Sequence, residues 1–175
     1  MKTMFNKRYV INQHLELKKI DNYQINELYD FLNSLNNEHH LGFSKSEVDL
    51  VNLEEYIVLA KKRWTEKSSY FFVIYLDKQI FGLIKINVDK TNGQIKYLLQ
   101  TYDPKIIEQL IDFFIRVAQS TNLKWLYLKV EQDNNQLDQI LNSVCMYKLN
   151  SLELKEINIV RSNTKLIDNY WAKRV

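Results

Sequence analysis

The sequence predicts an α/β (α+β) fold, a mixed and mostly antiparallel sheet flanked by helices. Three observations carry this. The periodicity changes from helical to extended at Tyr70, where β-branched and aromatic runs follow one another. A long amphipathic helix starts at "DPK", residues 103–105, and a further strand, "LKWLYLKV", comes directly after it. The chain has 175 residues with 46% hydrophobic content, enough for one domain with a sizeable core and short for two.

Residues 9–19 alternate as an opening strand, with Leu15 and Leu17 on one face and Glu16 and Lys18 on the other. Asp21 is placed to cap a helix over 22–35, in which Ile25, Leu28, Tyr29, Leu32 and Leu35 recur at helical spacing. A polar segment, 36–49, separates this from a second helix whose start is marked by Asn52 with Glu55 three residues on. "YFFVIYL" and "IFGLIKINV" are joined by "DKQ", and Asn92-Gly93 can supply the positive φ of a second turn. The result is a three-strand meander ending at residues 94–99. Asp103 caps the next helix, Pro104 sits in its first turn, and Ile106, Ile107, Leu110, Ile111, Phe113, Phe114, Val117 and Ala118 form a broad apolar face. A strand on either side makes this a right-handed parallel crossover. A short helix over 136–143 follows, then strands over 149–160 and 167–175.

Lys and Arg number 24 against 21 Asp and Glu, giving +3 with the signs interleaved, so no electrostatic footprint for nucleic acid stands out. The single cysteine, Cys145, excludes an intrachain disulfide framework and a cysteine-based zinc site. No run approaches the roughly 18 apolar residues of a membrane span, and the N-terminus has no continuous apolar stretch. A soluble protein of the cytoplasm is expected, with no membrane, nucleic-acid or metal partner. Cys145 sits between apolar residues and reads as a buried thiol. Trp64, Trp125, Trp171, Phe113 and Phe114 read as core, and His39 and His40, with Glu38, as a surface loop.

"NQLDQILNSVCMY" keeps the frame N-x-x-A-x-x-L-Y-x-x-x-G-F, with Asn135 on the Asn, Asp138 on the Ala, Leu141 on the Leu, Asn142 on the Tyr, Met146 on the Gly and Tyr147 on the Phe. "LDKQIFGLIKI" gives a turn and strand with Gly82 inside it. With the order β-α-α-β-β-β-α-β-α-β-β, these features resemble the GCN5-related N-acetyltransferase (GNAT) superfamily over nearly the whole chain. That resemblance implies acetyl-CoA or another acyl-CoA as co-substrate and a small-molecule or peptide amine as acceptor. It places the pantetheine against the backbone of Leu98, Leu99, Gln100 and Thr101, where the fourth strand splays from the fifth. An amide near Leu99 and Gln100 holds the thioester oxygen. Lys105, Ile106 and Asn135 complete the cofactor contacts, a turn or N-cap role before the last helix being the plainer description of Asn135. Glu131, with Asp133 nearby, follows the fifth strand where a general base sits; solvated loop carboxylates are the plainer description of both. Asn142 replaces the Tyr that protonates the leaving thiolate, and Tyr97 and Tyr147 are conceivable substitutes.

The family pattern at the strand-to-helix junction is V-x-P-x-x-R/Q-G-x-G-x-A, whose glycine-freed amides surround a pyrophosphate. This chain has "QTYDPKIIEQL" there, without a glycine. A helix terminus offers an anion about 0.3–2 kcal/mol, whereas each charge-assisted hydrogen bond of the lost cradle contributes about 1.5–3 kcal/mol. Weakened CoA binding is therefore expected, on the order of a hundredfold, and Asp103 adds repulsion. A second reading is a GNAT-like domain that has lost catalysis and serves as a binding or scaffold module, as a homodimer through its last strands.

Overall fold

In the computed structural model the described residues are 5–35, 39–40, 43–44, 49–130, 135–157 and 169–175. Their contacts divide the chain into two compact units, one of residues 1–87 and 96–102, the other of 88–95 and 103–175.

In the first unit, β1 (Arg8–Val10) and β2 (Leu15–Lys19) form a hairpin. The opening strand predicted over 9–19 is thus broken in two. Asn12 is the reason: its side-chain oxygen accepts from the amides of His14 and Leu15 and holds a turn. A 3₁₀ turn, Asn22–Gln24, leads into α1 (Ile25–Ser34), and Asp21 and Gln24 make a reciprocal capping box. Strands β3 (His39–His40) and β4 (Phe43–Ser44) pair as a short ribbon where a loop was expected. Helix α2 (Leu50–Thr65) is capped by Asp49, whose carboxylate accepts from the Asn52 amide at 2.7 Å, so Asn52 lies inside the helix rather than at its cap. Strands β5 (Ser69–Leu76) and β6 (Gln79–Asp89) form an antiparallel hairpin whose two turn residues, Asp77 and Lys78, have φ of 49° and 70°. The next turn takes its positive φ at Lys90, and Asn92-Gly93 already belongs to β7 (Asn92–Leu99). The strand order of this unit is β1-β2-β5-β6-β7. Helices α1 and α2 cover one sheet face through Leu28, Leu32, Leu53, Ile57, Phe71, Val73, Leu83 and Leu98. Trp64 meets Tyr70 and Phe72 edge-on, each at 5.1 Å.

In the second unit the order is β7-β8-β10-β9. Helix α3 (Pro104–Gln119) connects β7 to β8 (Trp125–Val130), and the two strands are parallel, as the crossover predicts. Helix α4 (Asn135–Ser143) and β9 (Tyr147–Lys148) follow. The described part of the strand predicted over 149–160 is instead α5 (Ser151–Glu156), because Asn150 and Glu153 form a capping box, and 158–160 lie outside the described residues. Strand β10 (Asn169–Arg174) is antiparallel to both β8 and β9. Trp125, Leu149, Leu154, Ile157 and Ala172 form a core cluster here. Trp64, Trp125 and Trp171 are all buried, as expected of core residues. Cys145 is exposed, not buried, because it follows α4 in the left-handed region at φ 59°. The strands thus make a mixed, mostly antiparallel sheet flanked by helices.

Candidate functional site

The end of β7 is fixed by one close approach. A Cβ on Gly82 would lie 2.5 Å from the Leu98 carbonyl oxygen and 2.7 Å from Leu99 Cδ2, so glycine lets β6 and β7 meet there. Leu98 is buried, Leu99 partly so, and Gln100 and Thr101 are exposed. The Gln100 amide donates to the Phe81 carbonyl at 2.8 Å. Of the two amides expected to hold a thioester oxygen, Gln100's therefore already has an acceptor.

The start of α3 admits a full accounting of its backbone donors. Asp103 stands at the N-cap with φ −121° and ψ 107°. One of its carboxylate oxygens accepts from the Lys105 amide at 3.0 Å and the Ile106 amide at 3.2 Å. Pro104 has no N–H, and the Ile107 amide donates to the Asp103 carbonyl at 3.0 Å. The Lys105 and Ile106 amides, which the first helical turn leaves for an anion, are here satisfied by Asp103. Lys105 is exposed and Ile106 is 7% exposed, so of the two only the Lys105 side chain is presented to solvent.

The parallel ladder of the second unit runs from Asn92↔Trp125 to Ile95↔Leu128. Strand β7 continues to Leu99, beyond the last paired position. In this stretch Tyr97 is partly buried and its hydroxyl is pushed up to about 12, by burial first and by Tyr102 second. It keeps its proton at neutral pH and remains a donor.

Asn135 opens α4 and is exposed. Asn142 is exposed near the other end of that helix, and its carbonyl accepts from the Cys145 amide at 2.9 Å. Tyr147, on β9, is exposed, and its hydroxyl is raised by burial and by Glu153. Glu131, Asp133 and Glu38 lie outside the described residues. Helices α3 and α4 are joined by a bond that the sequence does not announce, from the Ser143 hydroxyl to Glu108 at 2.6 Å. Among the described residues no group of three or more His, Cys, Asp or Glu is placed to hold a metal ion, and no helix is long and apolar enough to cross a membrane.

The fold is similar to that of several solved acetyltransferases. A ribosomal L7/L12 α-N-protein acetyltransferase, RimL, solved with coenzyme A is similar over 96% of this chain and 98% of its own, at 12% identity and a TM-score of 0.77. The microcin C7 self-immunity acetyltransferase MccE, solved with acetyl-CoA and AMP, is similar over 99% of each chain at 14% identity and 0.75. A ribosomal-protein-S5-alanine acetyltransferase from Vibrio fischeri is similar over 97% of each chain at 10% identity and 0.72. No family model and no curated protein matches the sequence.

Proposed function

We propose that this chain is an acyl-CoA-dependent N-acyltransferase, moving an acetyl group to an amine, with a weakened hold on the cofactor's pyrophosphate. The likeness in fold over nearly the full chain to acetyltransferases solved with CoA or acetyl-CoA carries this reading. The pantetheine would lie along the backbone of Leu98, Leu99, Gln100 and Thr101, with Lys105, Ile106 and Asn135 as further contacts. Its phosphates meet an obstacle in Asp103, whose carboxylate already bonds the Lys105 and Ile106 amides. The exposed Lys105 ammonium offsets part of that repulsion.

The transfer balances without another reactant. The amine nitrogen attacks the thioester carbonyl carbon, a C–N bond forms, the C–S bond breaks, and the electron pair leaves on sulfur as CoA thiolate. Glu131 takes the amine's proton through water. Asn142 can hydrogen-bond the leaving sulfur but cannot protonate it, which removes a general-acid contribution of about 10²–10⁴-fold. The thiolate takes its proton from solvent, because Tyr97, pushed up to about 12, is a weaker acid than a thiol. The acceptor is a small-molecule or peptide amine. Calorimetric titration with acetyl-CoA tests binding, and release of free CoA thiol across a panel of amines tests transfer. Absence of any binding heat at millimolar acetyl-CoA would end this reading.

A further inference from the structure

Within the first unit, the inward face of α2 presents Tyr56, Ala60 and Arg63 at successive helical turns. Opposite them β6 alternates, so that the side chains paired across from Val73, Phe71 and Ser69 are Leu83, Lys85 and Asn87. Leu83 belongs to the core under α1 and α2. One step along that row the core ends, and a lysine takes the next inward position. Around it lies a shallow, open depression lined by Tyr56, Ala60, Arg63, Ser69, Phe71 and Lys85 among others.

Among the described residues, the depression gathers positive charge with no carboxylate paired to it. Arg63 on α2 and Lys96 on β7 both act on the Lys85 ammonium. No ion pair is formed by Arg63, Lys85 or Lys96 with any Asp or Glu among the described residues. Other cations of α2 do find carboxylates: Lys61 bonds Asp21 at 2.7 Å and Lys62 approaches Glu66 at 3.9 Å. From β5 the facing groups are neutral. The Ser69 hydroxyl donates to Asn87 Oδ1 at 3.1 Å, and Phe71 meets the Tyr56 ring edge-on at 5.5 Å.

The Lys85 ammonium is held down to about 8, by burial first and then by Arg63 and Lys96. The Tyr56 hydroxyl, pushed up to about 12 chiefly by burial, keeps its proton. An unpaired, partly desolvated cation is costly, and an oxyanion placed against it recovers that cost through charge-assisted hydrogen bonds. We propose that the depression bounded by Tyr56, Arg63 and Lys85 is a binding site for a small oxyanion group, phosphate or carboxylate, with Ala60 and Phe71 as its apolar wall. Nothing in this assignment depends on acyl-CoA chemistry.

The test uses the full chain in chloride buffer at constant ionic strength, with inorganic phosphate and sodium acetate added in separate arms and Tm as the readout. Either anion is expected to raise Tm beyond chloride in the wild type. Lys85→Met and Arg63→Met should each weaken the apparent affinity about tenfold, while replacing an exposed lysine elsewhere, Lys124→Met, should leave it unchanged. Raising the pH through about 8 should diminish the effect, as Lys85 loses its charge. A response to phosphate alone identifies a phosphate site, and to acetate alone a carboxylate site. Because Lys85→Met removes an unpaired charge, that variant is expected to stay folded, and Arg63→Gln provides a second check. If neither anion exceeds chloride, or if the shift is the same in Lys85→Met and Arg63→Met, the assignment fails. It fails too if Lys124→Met alone alters the response.

Discussion

The start of α3 and the rim of the β6 core both collect positive potential, but they treat it in opposite ways. At α3 the helix dipole and two free amides meet a carboxylate from the chain itself, one residue before the helix, and the terminus is closed. At Lys85 a guanidinium and two ammonium groups converge with no carboxylate among the described residues, and the site stays cationic. Whether a phosphate can bind therefore depends less on having a favourable backbone than on whether a neighbouring residue has already neutralised it. In the family pattern glycines keep those amides free; here Asp103 consumes them.

The largest expected effect comes from Gly82, where β6 meets β7. Gly82→Ala forces a Cβ to 2.5 Å from a backbone oxygen, which cannot rotate away. A loss of about 1–3 kcal/mol is expected in urea unfolding, and both the acetyl-CoA and the phosphate responses should weaken with it. A stability within error of wild type would show that β6 and β7 separate without cost. Asp103→Ala removes the α3 cap and should cost about 1 kcal/mol, whereas Asp103→Ser keeps a capping oxygen and should remain within a few tenths.

Lys85→Met is expected to stabilise the chain in phosphate-free buffer by roughly 1 kcal/mol, about 2–4 °C in Tm. The accompanying pH dependence has a definite sign. Between about 8 and about 10 the unfolded chain still carries the lysine proton that the folded chain has released, so wild-type stability rises with pH across that window. Below about 8 both states are charged and the burial cost is present in full. Lys85→Met should abolish the rise. Above about 10 the slope reverses, because the Tyr56, Tyr75 and Tyr97 hydroxyls, each pushed up to about 12, hold protons that the unfolded chain releases. The smallest effect is on ligand affinity: replacing the Asp103 carboxylate with a neutral cap should tighten acetyl-CoA binding about 2–5-fold, the scale of a charge at a helix terminus.

Much of this was legible in the residue order, where local signals are strong. Asp103-Pro104 marks the start of α3 and predicts its own carboxylate as the cap, and the aromatic and β-branched runs announce β5 and β6. The tail misled. "LELKEINIV" spaces its apolar residues as a strand would, but Asn150 and Glu153 cap a helix start, and capping won. The turn after β6 places its left-handed residue at Lys90 where Asn92-Gly93 offered the better propensity, because β7 begins before that dipeptide. At the candidate site, the Asp103 bonds are local and readable. The Gln100 to Phe81 bond and the Ser143 to Glu108 bond join distant segments and leave no trace in spacing. Arg63, Lys85 and Lys96 likewise come from a helix and separate strands, so only register reveals them as neighbours.

Calorimetric titration of wild-type and Asp103→Ser protein with acetyl-CoA, side by side, tests the proposed acyl-CoA binding beside a self-capped helix most directly. The account predicts weak but saturable binding to the wild type and tighter binding to the variant. No heat from either protein, or a wild type that binds more tightly than Asp103→Ser, would contradict it.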